Sequence, residues 1–425
     1  MKRACLPTLM VAMALLTACA SMPKVPPAEI VGYVAGWKAP RDFDARDLTV
    51  LNYAFLDICW GGQHGNPSEA GLKPCTDTDG MPAPLPDGSL VIDNPARDPG
   101  YLAWLPTLKA ANPTLRLMAA VGGWTRSNRF SDVATDARAR AAFAASAVAF
   151  LRKARFDGID IDWEYPGAIG VPCAPGHTCE RKTDKANFVT LVRELRAALD
   201  AAGAADGKRY AITIAAANDR AFIFDAGSSA WLTELARELD WINVMTYDYH
   251  GSWEKTSGHV APLHTDPRDA SAASAAATIE LFLAQGISPA RLTLGEPFYG
   301  KGWAGCPAGP EGNGLYQPCA GPAGDAGDGS FTFAELVERG YLAQDASGRY
   351  TVAGNGFTRH WNGVARVPFL YNPAARIFIS YDDEASIHEK NRFALGQGLR
   401  GVMFWELAAD RLGVLRRAVA RDLQR

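Results

Sequence analysis

The chain lacks an excess of either charge: 43 Lys and Arg stand against 46 Asp and Glu, for a formal net charge of −3. The two signs are mixed with no long single-sign run, so there is no electrostatic footprint for a nucleic-acid partner. It also lacks a repeat, and it has no disordered tail. Apolar runs are short. Leu6 to Leu16, behind Lys2 and Arg3, is well under the ~20 residues a bilayer span needs and reads as the core of an export signal. Neither the cysteine spacings nor the seven histidines match a zinc pattern, so neither a metal nor a cofactor is expected.

Behind the signal core, Leu16-Thr17-Ala18-Cys19 resembles the lipobox of bacterial lipoproteins, which implies cleavage before Cys19 and its acylation. Residues 1–18 are then the signal. Residues 19–28, with Pro23, Pro26 and Pro27, form a short stiff tether. The expected location is the cell envelope, held through lipid on Cys19, with Ala20 compatible with the outer membrane. The alternative is a plain secretory signal cut near Ala18-Cys19-Ala20, and a secreted protein. Six further cysteines fall into three local couples inside Gly/Pro-rich segments. They are expected as the disulfides Cys59–Cys75, Cys173–Cys179 and Cys306–Cys319, formed in an oxidising compartment.

What the chain does have is a dense run of acids, Phe156-Asp157-Gly158-Ile159-Asp160-Ile161-Asp162-Trp163-Glu164-Tyr165-Pro166. On a strand, Asp160, Asp162 and Glu164 share one face, while Ile159, Ile161 and Trp163 share the other. Like charges stacked on one face repel and desolvate badly, so nothing in stability alone favours the pattern. Chemistry does. Crowded carboxyls share protons, and at least one becomes a general acid near neutral pH. Asp157 is out of phase with the three and reads as support for the start of the strand.

With 48% hydrophobic residues over 425 positions, a barrel of ~250 residues plus additions fits the length. Candidate strands are 30–35, 50–56, 116–121, 158–163, 210–215, 241–247, 291–297 and 401–405, separated by helical segments such as 185–201. In that helix Phe188, Leu191, Val192, Leu195 and Leu199 recur at helical spacing. Eight such units predict an α/β fold, a (β/α)8 barrel over 29–303 and 382–425. Residues 304–381 are too many for one helix. With a helical 331–339 and strand-like 349–352 and 376–381, they read as a small α+β insertion between strands seven and eight.

Asp157, Asp160, Asp162 and Glu164 match the Asp-x-x-Asp-x-Asp-x-Glu motif, and the segment resembles strand four of glycoside hydrolase family 18, the chitinases and their relatives. The resemblance covers about 29 to 410. It implies hydrolysis of β-1,4 bonds between N-acetylglucosamine units, with retention, by a substrate-assisted route outside the two-carboxylate scheme. The sugar's acetamido oxygen attacks its own anomeric carbon and forms an oxazolinium ion. Glu164 is then the general acid, Asp162 bonds the acetamido N–H, and Asp160 lies beneath. Met245-Thr246-Tyr247-Asp248-Tyr249 supplies Tyr247 for the acetamido carbonyl and Asp248 for the sugar. Gly401-Val402-Met403-Phe404-Trp405-Glu406 supplies Trp405 as a stacking platform. The expected groove residues are Tyr33, Phe55, Gly122, Gly123, Trp124, Met245, Tyr299 and Trp405, with Trp37 nearby. The insertion is expected as a groove wall.

Two positions depart from the family pattern. Ala120 precedes Val121-Gly122-Gly123 where a serine is usual, and Lys301 follows Gly300 where an arginine often stands. The partner expected is chitin or chito-oligosaccharides, and the protein itself is expected to be a monomer. Another amino-sugar glycan, cleaved by an endo-β-N-acetylglucosaminidase, stays open. A sugar-binding lectin is the reading from another class, disfavoured by Glu164. No separate carbohydrate-binding module is apparent.

Overall fold

The computed structural model describes residues 28–66, 71–168, 170–173, 177–225, 230–324 and 327–424. The signal, Cys19 and the tether up to residue 27 lie outside the described residues. Eight parallel strands form the centre: β1 (Glu29–Ala35), β2 (Val50–Ile58), β3 (Arg116–Gly122), β4 (Gly158–Asp162), β5 (Ala211–Ala216), β6 (Trp241–Val244), β7 (Leu292–Pro297) and β8 (Gly401–Trp405). Neighbours in the chain are neighbours in the sheet, and β1 pairs with both β2 and β8, which shuts the ring. This is the expected (β/α)8 barrel.

Alternation decides which way each β4 side chain looks. Ile159, Ile161 and Trp163 pack outward among the helices. Trp163 stacks on Phe130 at 5.4 Å between ring centroids and meets Phe188 edge-on at 5.2 Å. Burying side chains of this size contributes ~1.5–3 kcal/mol each, which offsets the cost of crowding acids on the inner face. The helix Asp184–Asp206 turns Phe188, Leu191, Val192, Leu195 and Leu199 to the core and ends at Gly207 in the left-handed conformation. The neighbouring helix Ala137–Ala154 starts at Asp136, whose carboxylate accepts the N–H groups of Arg138 and Ala139.

β6 stops at Val244, short of the expected Tyr247. The Thr246 hydroxyl donates to the Gly295 carbonyl and accepts the Gly295 N–H, both at 2.8 Å, replacing the ladder there. Between β7 and β8 lies a second, antiparallel sheet in the order Gly321–Pro322, Tyr299–Ala304, Ile377–Ser380, Val367–Asn372, Thr358–Asn362. The sequence reading keeps residues up to 303 in the barrel, but Tyr299–Ala304 belongs to this sheet, so the layer begins at Tyr299. Its helix is Phe333–Glu338. Residues Ser330–Thr332 are strand instead, and Thr332 and Glu335 cap the helix reciprocally. The three disulfides are Cys59–Cys75, Cys173–Cys179 and Cys306–Cys319. Among the described residues, no helix is long and apolar enough to cross a membrane.

Candidate active site

The acids of β4 form a column rising to the C-terminal mouth of the barrel, where sites of this fold sit. At its base, Asp160 is fully buried. Its Oδ2 accepts the Tyr33 hydroxyl at 2.6 Å, and its Oδ1 accepts the Thr213 hydroxyl at 2.5 Å and the Asn243 amide at 3.1 Å. Burial raises its pKa against the pull of these three bonds. Above it, Asp162 Oδ1 is buried with no hydrogen-bond partner among the described residues. Desolvation, then the charges of Glu164 and Asp160, push this carboxyl far up. Glu164 tops the column, pushed up to about 7 by burial, with a hydrogen bond from Tyr165 opposing and the charge of Asp248 adding. Asp162 and Glu164 therefore hold a proton between them at neutral pH.

The loop after β3 braces this column through its backbone. The Gly123 N–H donates to the Asp162 carbonyl at 2.7 Å, and Ser127 Oγ accepts the Glu164 N–H at 2.9 Å. Gly122, with φ 103°, comes so close that a Cβ would lie 2.3 Å from the Asp162 carbonyl oxygen. At Gly123 a Cβ would strike the Phe55 ring at 2.5 Å. Both glycines, expected as groove residues, let the loop press against β4. Tyr33, on Asp160, and Phe55, beside Trp405, are 2% and 6% exposed. The stacked pair of Phe55 and Trp405 is 5.6 Å apart at 18° between planes.

One side of the mouth comes from the segment after β6. Met245 and Tyr247 both reach the barrel interior, beside Met403 and Ala215. The Tyr247 hydroxyl has the weak acceptor Met403 Sδ at 3.9 Å, and its ring meets Tyr299 edge-on at 6.2 Å. Asp248, held at φ 56°, is exposed. Desolvation of its carboxyl by the groups around it raises its pKa, opposed by the charge of Lys301 and a hydrogen bond from Tyr299. Lys301 Nζ bonds the Ser330 hydroxyl at 2.8 Å and lies 5.5 Å from both the Tyr299 and Trp253 rings. A half-buried Trp405 and the exposed indoles of Trp37, Trp124 and Trp253 line the rim.

Sequence reasoning missed Thr213, Asn243, Tyr165 and Trp253. The first two had a signal, each being a lone polar residue between apolar ones on an inner barrel face. Asp157 lies at the start of β4, accepting the Leu117 N–H at 2.8 Å and Lys109 Nζ at 2.6 Å. Among the described residues, Asp57, His64 and Asp93 bring three ligand-type atoms within 4.8 Å of one another. Protein donors already fill that cluster: His64 and the Gly65 N–H on Asp57, Lys73 and Arg126 on Asp93.

Ala120 faces Asp160 across the β3–β4 register. A hydroxyl added there gives the charged form of Asp160 a further donor and lowers its pKa. Ala120→Ser is therefore expected to move the acidic limb of the pH–rate profile down by about one unit. An unchanged profile from a folded variant would count against it.

A column of proton-sharing carboxyls at the mouth of a (β/α)8 barrel, rimmed by indoles, defines a barrel built for acid–base chemistry. The chain belongs to the glycosyl hydrolases family 18, whose model matches residues 29–410. It is 42% identical to Chitinase A1 of Niallia circulans over 93% of its own length, and spans 58% of that protein. Its fold matches chitinase ChiA74 from Bacillus thuringiensis with a TM-score of 0.82 and 37% identity, covering 94% of this chain and 70% of that one. A family 18 chitinase from Cycas revoluta in complex with (GlcNAc)3 is 25% identical with a TM-score of 0.71, covering 93% of this chain and 99% of that one.

Proposed function

We propose that the chain is a chitinase, cleaving β-1,4 bonds between N-acetylglucosamine units with retention through an oxazolinium ion. One observation carries this reading: the buried, unpartnered Asp162 Oδ1 beside a Glu164 raised to about 7. A carboxyl pair that holds a proton at neutral pH, with one oxygen left without a partner, suits a substrate that supplies its own nucleophile and needs its amide held. Glu164 gives its proton to the glycosidic oxygen as the bond to the anomeric carbon breaks. The acetamido oxygen bonds that carbon, its N–H donating to Asp162 and its carbonyl side steadied by the Tyr247 hydroxyl. The shortened chain leaves as an alcohol. Water then attacks the anomeric carbon as the bond from the acetamido oxygen breaks and the acetamide is regenerated; the water's proton passes to the Glu164 carboxylate, and the acid is restored. Asp248 and Trp405 hold the sugar, and the second sheet, through Tyr299 and Lys301, forms one wall of the groove. The named chitinase relatives and the (GlcNAc)3 complex of one of them support the substrate.

The test is N-acetylglucosamine hexamer, followed by mass spectrometry and proton NMR. Shorter oligomers whose new reducing ends appear first as the β-anomer are expected. Binding without cleavage sinks the reading in favour of a lectin, and neither binding nor cleavage points to another glycan. In the same reading the protein is held on the cell envelope through lipid on Cys19, supported by the lipobox-like segment and three disulfides. Cys19→Ala is then expected to move it from the membrane to the soluble fraction.

A further inference from the structure

His250 lies two residues past Asp248 and outside the column. Its Nδ1 is 2.6 Å from Glu254 Oε2 and its Nε2 2.9 Å from Asp269 Oδ2, with the Ser271 hydroxyl 3.2 Å from Nε2. A neutral imidazole has one N–H and must turn a lone pair toward the other carboxylate; only the imidazolium donates at both ends. The ring is 12% exposed and the Asp269 side chain 5%, so an unmet contact there is costly. Burial pulls the pKa of His250 down, and the hydrogen bonds and charges of Asp269 and Glu254 overcome it, leaving it above the ordinary histidine value. The other ionisable groups on this side are His259, Asp266 and Arg268. Burial keeps His259 neutral, pushed down to about 3. Asp266 is held by Arg268 and by the Asn362 amide.

The bridge fixes a turn. The Glu254 N–H donates to the Gly251 carbonyl at 2.9 Å, and the Glu254 carbonyl accepts Trp303 Nε1 at 3.1 Å. Gly258 backs so closely onto the ring that a Cβ would lie 2.5 Å from His250 Cγ. On this turn stands Trp253, 60% exposed, on the same side of the mouth as Lys301, Tyr299 and Asp248.

We propose that His250 is a positioning residue: as an imidazolium bridging Glu254 and Asp269, it fixes the turn that presents Trp253 to the sugar chain, so binding on that side depends on its proton. The inference rests on the reading that the site takes chains of N-acetylglucosamine units. Its sign follows from the raised pKa: the clamp is complete at low pH and is lost as pH rises through the folded-state value.

The experiment has two arms, both on the full chain. The first needs no sugar. Nitrogen-15 NMR follows the His250 ring and the Trp253 indole N–H against pH, assigned by their loss in His250→Gln and Trp253→Phe. An imidazolium at pH 7 is expected, with Trp253 shifting at the same midpoint and Glu254→Gln moving that midpoint to lower pH. A neutral His250 at pH 7, or a Trp253 signal blind to its titration, overturns the proposal. The second arm measures hexamer affinity in Glu164→Gln, which removes both turnover and the titration of Glu164. Affinity should weaken about tenfold across the His250 midpoint. Adding His250→Gln should fix it at the weak level, and adding Trp253→Ala should abolish the pH step. Affinity that is tight but indifferent to pH overturns the proposal. A hexamer that binds at no pH sinks the glycan reading instead, and the first arm still decides the clamp.

Discussion

Glu164→Gln is expected to lower kcat on N-acetylglucosamine hexamer by ~10²–10⁴-fold while changing KM little. Glutamine keeps the shape and a hydrogen-bonding oxygen but has no proton to give the leaving oxygen. Both steps need Glu164, first protonated and then ionised, so both barriers rise. The same carboxyl sets a pH limit. With its pKa pushed up to about 7, the acid form dominates below that value and is lost above it, so wild-type activity should fall as pH rises past about 7. Initial rates by product mass spectrometry, paired with calorimetric binding, separate the two effects. A variant within tenfold of wild type would remove Glu164 from its role.

The barrel and its column were legible because β4 states them twice. Alternation puts Asp160, Asp162 and Glu164 on one face, and the apolar partners Ile159, Ile161 and Trp163 require the other face to be buried. Strand eight read as cleanly, with Met403 inside and Phe404 stacked on Phe298 outside at 4.2 Å. The donors under Asp160 were not legible as a set. Tyr33, Thr213 and Asn243 come from β1, β5 and β6, and only closure of the ring brings them to one carboxylate. Val367–Asn372 escaped for a different reason: every residue is buried, so no period-two pattern marks it. The end of β6 depended on one side chain, since Thr246 replaces a backbone ladder with its hydroxyl. Trp253 had no local signal either. Its neighbours Lys301 and Tyr299 lie far along the chain, in the second sheet.

Asp162→Asn is expected to cost ~10²–10³-fold in kcat, the usual scale for removing one oriented group that stabilises the transition state. Asparagine can still meet an amide, but it brings no charge to the cationic oxazolinium and cannot share a proton with Glu164. Two interacting carboxyls keep their last proton to higher pH than either would alone, so the basic limb of the pH–rate profile should move to lower pH in the variant. Stability should move the other way from activity. A buried carboxyl whose folded pKa lies far above its unfolded value weakens the fold as pH rises above that unfolded value, because it must either hold a proton or sit charged beside Glu164 and Asp160. Asparagine removes that cost. The melting temperature of Asp162→Asn should therefore exceed that of wild type by more at pH 8 than at pH 4, as thermal unfolding at the two values will show. A variant that loses both activity and stability at pH 8 would make Asp162 a structural residue. A more stable and nearly inactive protein would mean that the crowding of these acids is kept for its chemistry, at the expense of the fold.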